Sequence, residues 1–160
     1  MSDTVITDAL VDHFKRTWAM LAEAVRNFPE ESWDSGDDPR MLPRRIGYHV
    51  LLSAERYTWQ GSGDDYVPNR RFRLDWDAAP LEDLPAKKEL LKHFGAMEAK
   101  TVGWLRAHGD TGLTTTEPTF PWTGRCALAQ ALYLLRHLQH HQAELNVELR
   151  RRGLPAAEWK

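Results

Sequence analysis

A chain of 160 residues is long enough for one domain with a buried core, expected over 1–160, and 42% hydrophobic with 28% charged residues describes a folded chain rather than a disordered one. With 21 basic against 23 acidic residues, the net charge of −2 gives no electrostatic footprint for nucleic acid or an anionic membrane. The single cysteine, Cys126, excludes an intramolecular disulfide and a multi-cysteine zinc site. No basic-then-apolar leader opens the chain, and no segment approaches the ~20 apolar residues of a membrane span, so a cytoplasmic address is expected.

Val11, Phe14, Trp18, Leu21, Val25 and Phe28 recur at alternating spacings of three and four, which predicts an amphipathic first helix that Pro29 ends. A second helix is predicted from Pro43, a residue suited to the first helical position, to about Trp59. Gly61, Ser62 and Gly63 then break the pattern. The connection from Gln60 to Asp83 holds Tyr66, Phe72 and Trp76, and a loop of this kind either covers one bundle end as a lid or packs on the outside. A third helix is expected from about Leu84 to Ala107, with Leu90, Phe94, Met97, Thr101 and Trp104 on one face and Gly109 and Gly112 closing it. After a threonine-rich stretch, a fourth is expected from Thr123, as N-cap, to Arg152. Arg150, Arg151 and Arg152 suit the negative end of its dipole, and Gly153 with Pro155 stops it. No alternation of apolar and polar residues marks a strand, so the expected fold is all-α, a four-helix bundle. Seven tryptophans exceed what one small core readily absorbs, which makes a homodimer the expected assembly.

Seven histidines are present, three of them in Arg136-His137-Leu138-Gln139-His140-His141. A spacing of four stacks His137 and His141 about 40° apart around a helix axis. Both border the apolar arc of Leu134, Leu138, Leu145 and Leu149, while His140 turns toward solvent or a partner subunit. Two such imidazoles make half of a divalent-metal site, and a third ligand must come from elsewhere. His49 lies beside Ile46, Val50 and Tyr57, so it too faces inward. His13 falls off the stripe of the first helix, and His93 and His108 read as surface or helix-end positions. Spacing alone leaves hydrogen-bonded core histidines as an alternative to a metal site.

The stretch Leu134-Leu135-Arg136-His137-Leu138-Gln139-His140-His141-Gln142-Ala143-Glu144-Leu145-Asn146, ending in Leu149-Arg150-Arg151-Arg152-Gly153, resembles the last helix of the DinB-like superfamily. Arg45-Ile46-Gly47-Tyr48-His49-Val50-Leu51 resembles its second. The resemblance implies a four-helix bundle, commonly homodimeric, with a divalent metal ion (zinc, nickel or iron) held by His49, His137 and His141. It also implies a metal-dependent transferase or hydrolase class that works with low-molecular-weight thiols on small-molecule substrates. The alternative is a non-catalytic, metal-stabilised dimeric binding protein of stress response. DNA binding has only the family's name behind it, and the balanced charge opposes it.

Relatives often follow the second ligand histidine with Arg-Gly-Gln, where this chain has Gln142-Ala143-Glu144. Glu144 is therefore a candidate catalytic residue, either orienting a ligand imidazole or acting as a base, against the plainer alternative of a solvated helix glutamate. Ser53 and Arg56 share the His49 face and are expected to line the pocket. Cys126 lies too far along its helix to be a ligand. Three neutral imidazoles leave coordination positions open, the arrangement of a catalytic metal that activates a thiol or water.

Overall fold

The computed structural model describes residues 4–68 and 72–160. Its helices in chain order are α1 (Val5–Asn27), the single-turn α2 (Glu30–Trp33), α3 (Pro43–Tyr57), α4 (Lys87–Thr115) and α5 (Ala127–Arg151). No strand occurs among the described residues, and the four long helices form a bundle in which α1 packs on α4 and α5, and α3 packs on α5 and α4. The periodic residues of α1 lie in the shared core, Phe14, Leu21, Val25 and Phe28 completely buried and Trp18 nearly so. They meet Ile46, Val50 and Leu51 of α3, Leu90 and Phe94 of α4, and Leu134, Leu138 and Leu145 of α5 within that core. Burial of each such side chain contributes roughly 1.5–3 kcal/mol before the cost of ordering the chain. Gly47 lets α3 approach α4 closely: a Cβ there would sit 2.6 Å from Leu90 Cδ2.

The helix ends depart from the pattern. The third long helix continues to Thr115 instead of stopping near Ala107, interrupted at Gly109 (φ 60°, ψ 177°), a left-handed conformation that glycine adopts without a Cβ clash. The break carries Asp110 to the start of α1. Its carboxylate accepts hydrogen bonds from Ile6 N at 2.9 Å, Thr7 N at 2.8 Å and Thr7 Oγ1 at 2.7 Å. A distant aspartate thus caps α1, where Thr4 makes no side-chain capping bond. Burial raises the Asp110 carboxyl pKa, but the hydrogen bonds from Thr7 and Ile6 outweigh it and leave a net lowering.

The last helix begins at Ala127, not Thr123. Thr123 closes a 3-10 turn, its hydroxyl spent on Phe120 O, and Ala127 N is satisfied by Thr116 O at 2.9 Å. A cap supplied by tertiary contact displaces the locally favoured one.

The loop expected over 60–83, apart from 69–71, contains 3-10 turns at Gly63–Asp65 and Leu81–Asp83 and folds back on α3. Arg45 fastens it. This buried guanidinium donates to Trp76 O and Ala79 O, each at 2.8 Å.

Candidate metal centre

Packing of α3 against α5 sets His49 opposite His137 and His141. Ring centroids are 5.1 Å apart for His49 and His137, 4.7 Å for His49 and His141, and 4.6 Å for His137 and His141. His49 Nε2 and His137 Nε2 are separated by 3.1 Å. One nitrogen from each of the three rings lies within 4.8 Å of the others. Metal–nitrogen bonds of about 2.0–2.1 Å in a tetrahedral site place ligand nitrogens about 3.3–3.4 Å apart, so this cluster has the dimensions of a metal site.

The proton affinities agree with that geometry. Burial, reinforced by repulsion from the neighbouring imidazoles, lowers the pKa of His49 to about 3. Burial, with repulsion from His141, His140 and Arg136 outweighing the pull of Glu144, lowers His137 to about 4. His141 is also lowered by burial, against the opposing pull of Glu144. All three are neutral at neutral pH, each with one lone pair, and three convergent lone pairs suit a cation better than mutual hydrogen bonding. The residues therefore fit a divalent ion.

Glu144 fixes one ring. Its Oε2 accepts from His141 Nδ1 at 2.7 Å, leaving His141 Nε2 as the nitrogen free to face the cluster. Its Oε1 lies 3.0 Å from Nε2 of the exposed His140. His140, His141 and Glu144 form a second group with metal-ligand chemistry, but here the two imidazoles are held on one carboxylate. His137 Nε2 also meets Ser53 Oγ at 2.9 Å, and Tyr133 stacks on its ring at 6.4 Å, 11° from parallel. His49 Nδ1 is buried without a hydrogen-bond partner among the described residues. Its ring is set by packing, with Trp76 centred 4.4 Å away.

A cavity of about 300 Å³ opens onto His49 and His137. One wall is α3, through Leu52, Ser53 and Arg56; the loop supplies the other, through Tyr66, Phe72 and Trp76. Of the two expectations for the loop, its large apolar residues thus cover the site. Ser53 and Arg56 line the cavity as their helical spacing from His49 implies. Trp76 as a cover for His49, and Tyr133 behind His137, were missed. The only signal for Trp76 was a large apolar side chain in a long loop.

The other histidines separate clearly. His13 is exposed. His108 is half-buried, its Nδ1 donating to Trp104 O at 2.9 Å. His93 is no surface residue: it is 8% exposed, edge-on to Phe72 at 5.3 Å and near Glu89 at 3.4 Å. Docking of the loop onto α4 buries a position that helical spacing alone turns to solvent. Cys126 is half-buried at the start of α5 and is not part of the histidine cluster.

Comparison with known proteins places this geometry in a family. A sequence model of the DinB superfamily matches residues 13–145, a span that includes all three histidines. Among solved structures, the crystal structure of a DinB-like protein from Bacillus cereus superposes with a TM-score of 0.67 and 16% identity over 99% of each chain. At that identity the likeness establishes the fold. No curated protein matches the chain.

Proposed function

The chain belongs to the DinB superfamily, and from that premise we propose that it is a metal-dependent enzyme that activates a low-molecular-weight thiol or water toward a small electrophile. His49, His137 and His141 would hold the ion, with zinc, nickel or iron the choices that suit imidazole ligands. Such an ion supplies a Lewis acid with open coordination positions that makes a thiol or water more acidic. The chain's own residues do the rest. Glu144 holds the proton on His141 Nδ1, so that Nε2 keeps its lone pair. Ser53 Oγ stands beside the His137 nitrogen that faces His49, within reach of a group bound there, and Trp76 packs on the His49 ring. The cavity beside them takes a small molecule rather than a polymer.

The observation that carries this reading is the convergence of three neutral imidazoles, two of which, His49 and His137, line an open cavity. The same reading makes the protein a cytoplasmic homodimer. Among the described residues, no helix is long and apolar enough to cross a membrane.

Three measurements test the proposal: metal content of the purified protein, consumption of cysteine with 1-chloro-2,4-dinitrobenzene, and hydrolysis of p-nitrophenyl acetate. Stoichiometric metal in wild type, its loss in His137→Ala, and turnover above the chelated control are expected. A metal-loaded protein no faster than its chelated form on either reaction refutes the enzyme and leaves a metal-stabilised binding protein.

A further inference from the structure

Arg56 follows His49 by seven residues, which puts it on the same face of α3 and about 10 Å farther along the axis. Its guanidinium lies 5.4 Å from the centre of the Tyr66 ring and 5.8 Å from that of Phe120. These aromatic faces hold the group in place, and no hydrogen bond or ion pair occupies its N–H donors among the described residues. Arg73 adds a second guanidinium to the cavity lining, while neither Asp nor Glu lines it among the described residues. Between these cations and the histidines, the wall is apolar or aromatic: Leu52, Phe72, Leu74 and Trp76.

We infer that the ligand of this cavity carries an anionic group, a carboxylate or similar oxyanion, which Arg56 binds at the end away from the histidines. The inference rests on reading the cavity as the substrate site. Arg56 is exposed, but its guanidinium already lies over two aromatic rings, and its fork matches the two oxygens of a carboxylate. A pocket with cationic side chains, no acidic ones among the described residues and low-dielectric walls also concentrates small anions. Were Arg56 only a surface residue whose stem covers Tyr66 and Phe120, its charge would be immaterial to what the cavity takes. The ligand that fits is a short molecule with its reactive end at the histidines, an apolar middle against Phe72 and Trp76, and an oxyanion at Arg56.

Calorimetric titration of the zinc-loaded protein with 6-mercaptohexanoate, its uncharged amide and hexanoate tests this. The acid should bind about tenfold more tightly than the amide, as expected for one charge-assisted contact. Arg56→Gln should abolish that preference while leaving amide affinity unchanged, and Arg56→Lys should restore part of it. Equal affinity of acid and amide for wild type, undetectable binding included, overturns the inference, and so does a preference that survives in Arg56→Gln. Hexanoate keeps the two readings apart. If it binds as tightly as the mercapto acid, the metal end has failed, while the acid-to-amide ratio still decides the role of Arg56.

Discussion

Glu144 meets two imidazoles with one carboxylate, and the two contacts have different consequences. His141 is 13% exposed at the side chain and presents its other nitrogen to the cluster, whereas His140 is 66% exposed and presents nothing to it. Removing Glu144 should therefore act through His141. We expect Glu144→Ala to weaken metal binding about 10–100-fold, the usual effect of losing the partner of a ligand imidazole. Glu144→Gln, whose amide oxygen can still accept the Nδ1 proton, should keep most of the affinity. His141→Ala should lose most binding and His140→Ala little, measured by competition with a chromogenic chelator. Equal damage from His140→Ala and His141→Ala would contradict the geometry. This much was legible in the sequence, because a spacing of four and the border of an apolar arc depend only on helix periodicity. The choice of which His141 nitrogen faces inward was not, since it depends on where the glutamate side chain comes to rest.

The long helices were legible because their stripes are set by local repeats, while their ends answer to residues far away. Gly109 looks like a stop and is a break, because Asp110 beyond it is needed at the start of α1, more than a hundred residues earlier in the chain. Thr123 looks like a cap and is not one, because its hydroxyl bonds Phe120 O. The loop was least legible: its position depends on Arg45, a charged residue for which no sequence pattern signals burial and which is only 9% exposed. By holding Trp76 O and Ala79 O, Arg45 keeps Trp76 against His49 one turn along α3. Arg45→Met retains the stem's bulk and strands both carbonyls, at a cost of about 1–3 kcal/mol if they stay buried. The loop should then open more often than the bundle unfolds. Hydrogen exchange at the Ala79 amide, which bonds Asp75 O, should speed up while that of core amides such as Leu138 changes little. Uniform acceleration, or none, would show that Arg45 does not hold the loop as a separate unit.

Seven tryptophans are divided across the molecule: Trp18, Trp33 and Trp104 lie in the core, Trp59 and Trp76 pack against it, and Trp122 and Trp159 stay exposed. The bundle thus absorbs most of its aromatic load, yet it also buries a cluster of ionisable imidazoles, which ties global stability to pH and metal. In the unfolded chain, histidines titrate near 6.5; in the folded protein without metal, His49 titrates at about 3 and His137 at about 4. Between those values the unfolded state binds more protons, so the histidine contribution is fully present above pH 6.5 and is lost as pH falls toward 4 and then 3. Asp110, whose lowered pKa starts from 3.8, belongs to a more acidic window. Lowering pH from 7 to 5 should cost the chelated protein on the order of 2 kcal/mol after allowance for solvent around the rings, or roughly 4–8 °C in Tm for a domain of this size. Zinc at a thousand times its Kd should add about 4 kcal/mol at pH 7, a gain that shrinks as protons compete for the ligands. His49→Leu removes the most strongly shifted imidazole and should make the pH dependence of the chelated protein between 5 and 6.5 shallower by one histidine's share, while abolishing the response to zinc. Scanning calorimetry at several pH values, with and without chelator, checks both effects. If the Tm of His49→Leu follows that of the chelated wild type in parallel across this window, His49 is not a source of the acid sensitivity.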